Sequence, residues 1–293
     1  MIKKLRKEAF LEILKNAGIL SDLVDRAISK KTGTKPYQML GLSLGSGTSV
    51  LFPAEPVKPD GTVDILISLK AVGLGDTKTA ARTGTKAVIV SAYLDLQGGS
   101  TQYKEQFGSA NFVNKAVGTI ISYLKKMYPD KNVRRGKLGV VWWSGGYDAG
   151  RSIIDQRTAI PGGINAVVAL DGGHGKSDRF MQPFWDYARE AQQGKGKFVF
   201  VSTGVEPGKY PSTSAVSQRI ADHLNLSYQN VDPQSWTGRQ VAPAAIAKSK
   251  NVSLVQLYKP YDKANPYKLK EMMSQHGEAL RWGLYNLNGI LGW

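Results

Sequence analysis

The chain has 293 residues, of which 42% are hydrophobic, 9% aromatic and 21% charged. This composition excludes a disordered protein, and no uncharged apolar run reaches the roughly 18 residues that a membrane-spanning helix needs. Because the sequence has no cysteine, it also excludes disulfides, thiolate nucleophiles, zinc fingers and iron–sulfur clusters. Any step that needs an imidazole must use one of three histidines: His174, His223 or His276.

The formal charge is +16, from 39 basic and 23 acidic residues, and the excess is dispersed along the chain. A basic surface attracts anionic partners such as an acidic polymer, although solubility alone also accounts for such a charge. The sequence has no zinc finger, phosphate-binding loop or aromatic RNA-binding signature, so no specific nucleic-acid partner is predicted. Glu8 and Glu12 interrupt the apolar residues near the N-terminus, so no signal peptide is expected and a cytoplasmic location is predicted.

The first 35 residues predict a short helical appendage. Leu5, Phe10, Ile13 and Leu14 fit one helix face, and Gly18 is a typical helix stop. A stretch rich in Gly, Ser and Thr at 32–49 then separates this piece from the rest. We therefore predict two units, a helical N-terminal appendage at 1–35 and a larger domain at 36–293.

The larger domain alternates short apolar runs with longer helical patterns. The runs are nearly continuous and rich in Val and Ile, which is typical of parallel strands covered on both faces. Predicted strands are 63–69, 86–94, 138–143, 164–170, 197–201 and 253–258, and predicted helices are 107–127, 146–157, 177–193, 212–224 and 274–291. This alternation predicts an α/β fold with a doubly wound, mostly parallel sheet. Residues 225–250 are interpreted as a polar connection, long enough to be a lid.

One predicted strand runs directly into the sequence Ser144-Gly145-Gly146, and a helix pattern follows. A nucleophile elbow has this form, because a tight strand-to-helix turn lifts a serine hydroxyl clear of the sheet. The Gly145 amide would then face the oxyanion that develops during acyl transfer. The usual pattern is Gly-x-Ser-x-Gly, and Trp142 stands where the first glycine is expected. The alternative is an ordinary Ser-Gly turn between a strand and a helix, which is common in proteins.

The order of the downstream residues favours the elbow, because serine hydrolases of this architecture place Ser, then the acid, then His along the chain. Asp171 follows the next predicted strand, and His276 follows the last one. We predict Ser144 as nucleophile, His276 as general base and Asp171 as the acid that orients the imidazole. Glu206, after the strand at 197–201, is the rival acid. His174 is predicted near the pocket, and His223 as a solvated residue.

The loop after the strand at 63–69 is expected to supply a second oxyanion donor, either the Ala71 amide or the Lys70 amide. Four residues are predicted to bind substrate: Tyr147, His174, Tyr210 and Trp236. Aromatic side chains in this group suit an apolar acyl or aryl group. For Trp143 and Trp185 a place in the core is expected instead.

These residues resemble the α/β-hydrolase superfamily over residues 63–291. More narrowly, they are similar to bacterial hydrolase-like proteins with a Ser-Ala-Gly-Tyr elbow and an Asp-Gly-x-His strand end. The matching segments here are Ser144-Gly145-Gly146-Tyr147, Asp171-Gly172-Gly173-His174, and the stretches 207–213 and 96–106. The resemblance implies ester or amide hydrolysis without naming the substrate.

The leading hypothesis is a serine hydrolase that cleaves an ester or amide bond in a small molecule or polymer through an acyl-enzyme. It needs no metal and no organic cofactor. The alternative is a non-catalytic α/β module that binds an anionic polymer through a basic, aromatic surface. Nucleotide binding is disfavoured, because no strand is followed by Gly-x-Gly-x-x-Gly.

Overall fold

The computed structural model describes most of the larger predicted domain. Described residues are 38–40, 42, 44–45, 47–71, 74, 80–81, 83–94, 99–175, 177–204, 210–232, 243–257 and 269–293, with the backbone alone for 38–40 and 269–274. The predicted appendage at 1–35, Glu206 and Trp236 lie outside the described residues.

Ten strands of the described chain form one sheet. They are β1 (Gln38–Leu40), β2 (Thr48–Phe52), β3 (Thr62–Leu69), β4 (Val88–Ala92), β5 (Arg134–Trp143), β6 (Ala166–Leu170), β7 (Lys197–Ser202), β8 (Gln229–Asn230), β9 (Ala245–Ser249) and β10 (Val252–Gln256). Their order across the sheet is β1-β2-β4-β3-β5-β6-β7-β10-β9-β8.

The centre of the sheet, from β4 through β3, β5, β6 and β7 to β10, pairs in parallel. Strands β1, β2, β9 and β8 pair antiparallel at the two edges. Every residue of β4 and β6 is buried, as expected for parallel strands with both faces covered. The predicted fold class, α/β with a mostly parallel sheet, is confirmed.

Helices cover both faces of this sheet. They are α1 (Ser100–Phe107), α2 (Ala110–Met127), α3 (Tyr147–Asp155), α4 (Asp178–Gln192), α5 (Thr213–His223) and α6 (Leu269–Leu291). Val113, Ile153 and Phe184 from α2, α3 and α4 belong to the hydrophobic core on one face. Trp282 and Leu287 of α6 belong to a second core on the other face. This division is the doubly wound arrangement that the sequence predicts.

The helix predicted at 107–127 corresponds to α2, which begins three residues later than predicted, and α1 is missing from the prediction because the chain breaks between the two helices. Gly108 ends α1 by donating its amide to the Lys104 carbonyl oxygen at 2.8 Å. Ser109 then caps α2, its hydroxyl accepting a hydrogen bond from the Phe112 amide at 3.1 Å. The apolar pattern alone does not reveal this boundary, since Tyr103 and Phe107 of α1 enter the same core as α2.

The edge strands are also missing from the sequence prediction. Strand β1 and the start of β2 lie in the Gly-, Ser- and Thr-rich stretch at 32–49, and both β8 and β9 lie in the predicted polar connection at 225–250. Edge strands expose part of their side chains, and Lys248 of β9 is exposed. Such strands lack the continuous apolar runs on which the prediction depended. None of the described helices combines the length and apolar character needed to cross a membrane.

Candidate active site

Three non-glycine residues with positive φ follow the ends of three neighbouring parallel strands. Lys70 follows β3 with φ 55°, Ser144 follows β5 with φ 51°, and Asp171 follows β6 with φ 45°. Residues other than glycine are strained at positive φ, at a cost of about 1–3 kcal/mol each. Because β3, β5 and β6 are adjacent and parallel, the three residues lie side by side at the carboxyl-terminal ends of these strands. Strain concentrated at one place is characteristic of functional sites.

Ser144 occupies a tight turn between β5 and α3. The turn is a single 3-10 segment, Ser144–Gly146, and α3 begins at Tyr147. A Cβ atom on Gly146 would lie 2.5 Å from the Leu69 carbonyl oxygen, so a glycine is required for β3 to approach this closely. The strained serine, the close approach and the strand-to-helix position together form the geometry of a nucleophile elbow.

Trp142 fits into the elbow because glycines elsewhere make room for its indole. The side chain is fully buried, and its Nε1 donates to the Gly172 carbonyl oxygen at 2.8 Å. A Cβ atom on Gly150 of α3 would lie 2.4 Å from the indole ring, and one on Gly172 would lie 2.9 Å from it. The usual pattern has a glycine two residues before the serine. Here that position holds Trp142, and Gly150 and Gly172 provide the space for its side chain.

Asp171 and His276 form a hydrogen-bonded pair. His276 Nδ1 lies 2.5 Å from Asp171 Oδ2, and the carboxylate is only 1% exposed. The two residues are 105 positions apart in sequence, and they come from the end of β6 and from α6. A buried carboxylate on Nδ1 holds the imidazole in the tautomer whose Nε2 can accept a proton.

Two threonines bind the same carboxylate. The Thr203 amide and hydroxyl donate to Asp171 Oδ1 at 3.1 and 2.9 Å, and the Thr213 hydroxyl also donates to Oδ1. Burial by itself raises the pKa of Asp171, but the hydrogen bonds from His276 and Thr213 and the charge of His276 outweigh it, so the pKa is lowered. The sequence assigned no role to Thr203 or Thr213, although 207–213 belongs to a segment that carries the family resemblance.

The indole of Trp143 contacts the same histidine. Its ring stacks on the His276 imidazole, with centroids 4.6 Å apart and an angle of 27° between the planes. Its Nε1 donates to the His276 carbonyl oxygen at 3.1 Å. Trp143 is buried, as the sequence predicts, and in addition it holds the backbone and ring of His276.

His174 lies beside this pair as a neutral, largely buried ring. Its Nδ1 donates to the Pro211 carbonyl oxygen at 3.1 Å, and burial lowers its pKa. Tyr147 packs its ring edge-on to His174 at 5.8 Å. Tyr210, by contrast, is 53% exposed. His174 and Tyr147 therefore contact each other, whereas most of the Tyr210 side chain faces solvent.

The loop after β3 distinguishes the two predicted oxyanion donors. The Lys70 amide donates to the Ala92 carbonyl oxygen at 3.0 Å, so it continues the sheet and is committed there. Ala71 is buried next to Lys70, and of the two predicted oxyanion donors only the Ala71 amide is left as a candidate. Within the described ranges, no three His, Asp or Glu side chains converge as metal ligands would.

His223 has a separate environment at the end of α5. Its ring stacks on Trp185 at 4.6 Å, with 9° between the planes, and its Nε2 lies 2.6 Å from an Arg189 nitrogen. Trp185 is partly buried at the edge of the core. These contacts join α4 to α5, so His223 is accounted for without a place in the site.

The sheet order and the strand-end residues define an α/β-hydrolase-like fold, as the family resemblance implied. No protein-family model and no curated protein matches this sequence. Similar solved structures include a siderophore hydrolase from Aspergillus nidulans (11% identity, 88% of this chain and 95% of that one, TM-score 0.45). An IroE-like serine hydrolase from Shewanella oneidensis is 13% identical over 86% of this chain and 79% of that one, with a TM-score of 0.43. An uncharacterised protein from Capnocytophaga ochracea is 11% identical over 85% of this chain, with a TM-score of 0.43. The present chain spans only 63% of the length of that protein.

Proposed function

We propose that the protein is a serine hydrolase that cleaves an ester bond, with Ser144 as nucleophile, His276 as base and Asp171 as the orienting acid. The observation that carries the proposal is the 2.5 Å hydrogen bond between His276 Nδ1 and the buried Asp171 carboxylate. A base held in this way has Nε2 left to accept the serine proton. The strained Ser144 at the end of the neighbouring strand supports the same assignment.

In the proposed reaction, Ser144 Oγ attacks the ester carbonyl carbon while its proton passes to His276 Nε2. The Gly145 and Ala71 amides stabilise the negative oxygen of the tetrahedral intermediate. The imidazolium then protonates the departing alcohol, and the acyl group remains on Ser144. His276 then takes a proton from water, and the water oxygen attacks the acyl carbon. As the Ser144 C–O bond breaks, the imidazolium returns the proton to Ser144 Oγ and the carboxylic acid leaves. No metal or organic cofactor takes part in this scheme.

We propose that substrate lies against Tyr147, His174, Tyr210 and Trp236. For Tyr147 and His174 the support is their mutual contact at 5.8 Å and the proximity of His174 to the Asp171 charge. Aromatic walls suit an apolar group of a small-molecule ester. A panel of para-nitrophenyl esters of increasing acyl length would measure the longest acyl group that these side chains accommodate.

The decisive experiment is covalent labelling by a fluorophosphonate probe. The wild-type protein should be labelled at Ser144, whereas Ser144→Ala should not react and should lose para-nitrophenyl butyrate hydrolysis by about 10³-fold or more. Ser227→Ala, which changes an exposed serine, is the matched control and should behave as wild type. Unchanged labelling or turnover in Ser144→Ala would overturn the assignment.

A second candidate, binding of an anionic polymer, is favoured by a basic groove where β7 and β10 begin, beside α6. The groove has a volume of about 350 Å³, and Lys197, Lys248 and Lys250 line it together with Trp282. Polyphosphate binding should weaken steeply with salt, and the double variant Lys248→Met, Lys250→Met should reduce both the affinity and the salt slope. Unchanged affinity would overturn this candidate and leave the hydrolase proposal intact.

A further inference from the structure

Lys70 shares its positive φ and its place directly after a parallel strand with the proposed nucleophile and the proposed acid. It is the first residue after β3, with φ 55°, as Ser144 is after β5 and Asp171 is after β6. The other two non-glycine residues with positive φ among the described residues, Asn225 and Lys250, lie in connections away from this edge. A strained lysine on the strand beside the elbow is an outlier that the proposed reaction does not use.

The side chain of Lys70 points at the elbow. A Cβ atom on Gly145 would lie 2.9 Å from Lys70 Nζ, so the ammonium group occupies the space that a side chain at position 145 would need. Nζ also lies 5.4 Å from the centre of the Tyr103 ring, a cation–π distance. Gly145 is therefore small for two reasons, the tight turn and the room that it leaves for this ammonium group.

We propose that Lys70 is a specificity residue that binds an anionic group of the substrate, so that the enzyme prefers esters with a carboxylate near the scissile carbonyl. This inference rests on the proposed function. The ammonium approaches Gly145 on its Cβ side, and the amide that would face the oxyanion is a different group of the same residue. In this proposal Lys70 Nζ and the Gly145 amide contact two different negative groups of one substrate.

The surroundings make a charge at this position effective. Lys70 is half-buried, and desolvation by burial lowers its pKa. A partly desolvated ammonium interacts more strongly with an anion than one in bulk water does, because the effective dielectric constant is lower. The net charge of +16 acts in the same direction by attracting anionic substrates to the surface.

The test compares two esters of similar size that differ in charge, para-nitrophenyl hemisuccinate and para-nitrophenyl pentanoate. The wild-type enzyme should have the higher kcat/KM for the hemisuccinate, and rising salt should reduce the preference. Lys70→Met should lower kcat/KM for the hemisuccinate about 10- to 100-fold, the loss expected for one charge-assisted hydrogen bond, and leave the pentanoate within about twofold. Lys70→Arg should keep most of the preference. Lys125→Met, which removes an exposed lysine of α2, should change neither ester.

Equal losses on both esters in Lys70→Met would assign the ammonium to the oxyanion instead and overturn the specificity proposal. An unchanged preference would overturn it as well. Binding separates this inference from the hydrolase proposal: titration calorimetry on Ser144→Ala should show tighter binding of succinic acid monoamide than of pentanamide. Adding Lys70→Met should abolish the difference. If the two amides bind equally to Ser144→Ala, the role of Lys70 is wrong, whatever the outcome of fluorophosphonate labelling.

Discussion

Trp143 contacts His276 twice, through ring stacking at 4.6 Å and through a 3.1 Å hydrogen bond from its indole nitrogen to the His276 carbonyl oxygen. The same residue directly precedes Ser144. One side chain therefore couples the strand that presents the proposed nucleophile to the helix that presents the proposed base. The hydrogen bond and the ring contact join the end of β5 to α6 at the residue next to Ser144.

We expect Trp143 to act as a positioning residue. Trp143→Phe keeps an aromatic surface but loses the hydrogen bond, and it should lower kcat several-fold with little change in KM. Trp143→Leu loses both contacts and should lower kcat by about 10- to 100-fold, because misplacing a base by about 1 Å has an effect of this size. The measurement is steady-state kinetics on a para-nitrophenyl ester. Trp185→Phe, the same change in the stack with His223, is the control and should leave kcat unaltered.

Much of the fold could be predicted from the sequence because the central strands are buried on both faces and form continuous apolar runs. The core strands β3 to β7 and β10 were found in this way, and so was the position of Ser144 at the end of β5. The short edge strands were not, since β8 has only two residues and β9 alternates between buried and exposed positions. Period and run length are weak indicators for such segments.

The support around the site could not be predicted from the sequence, because it depends on contacts between distant residues. The space for Trp142 comes from Gly150 and Gly172, and nothing in the local pattern of β5 connects it to those glycines. Likewise, the approach of the Lys70 ammonium to Gly145 joins the ends of two different strands. Motif spacing selects candidate residues for the site, but not the side chains that pack behind them.

The threonines around Asp171 should matter for catalysis. Thr213→Val removes a hydroxyl that donates to Asp171 Oδ1 and should lower kcat by on the order of tenfold, since the carboxylate proposed to orient the base loses a partner. Thr213→Ser keeps the hydroxyl and should restore most of the activity. Both variants are measured by kcat and KM on the same ester. Equal effects of Val and Ser would assign Thr213 to packing at the start of α5 instead.

Asp171→Asn should depress turnover much more severely, by about 10³- to 10⁴-fold, because an amide favours the wrong imidazole tautomer. Glu206→Gln is the comparison, since Glu206 is the rival acid that the sequence allowed. It should be mild. Circular dichroism establishes that both variants fold, so that turnover reports the site alone. The opposite ranking would move the acid to the strand that begins at Lys197.

The close packing of the Trp142 indole against Gly150 should be visible in the stability of the protein. Gly150→Ala would place a methyl group 2.4 Å from the indole ring and should destabilise the protein by about 1–3 kcal/mol, a typical penalty for overpacking. Thermal unfolding measures the loss. Gly118→Ala on α2 is the matched control, because nothing lies within 4 Å of the added methyl group. It should be neutral or stabilising by up to about 1 kcal/mol, since alanine is the better helix former. Combining Gly150→Ala with Trp142→Phe should cost less than the sum of the two changes.

The buried imidazole of His174 should make stability depend on pH in a defined window. Burial lowers the pKa of His174 below its ordinary value of 6.5, so the unfolded chain binds a proton at this residue that the folded chain resists. The stabilisation is therefore complete above about pH 6.5 and is lost progressively as the pH falls through the folded pKa. Asp171, whose pKa is lowered from 3.8, contributes only in a more acidic range.

His174→Asn separates this effect from the rest of the acid response. The asparagine amide can still donate to the Pro211 carbonyl oxygen, which accepts from His174 Nδ1 at 3.1 Å, but it does not titrate. Between about pH 7.5 and about pH 5 the Tm of the wild type should fall, and that of His174→Asn should fall less. His223→Gln removes a histidine that also has a lowered pKa but is much less buried, so it should flatten the profile less. Parallel profiles for wild type and His174→Asn would show that the buried ring does not titrate in this window.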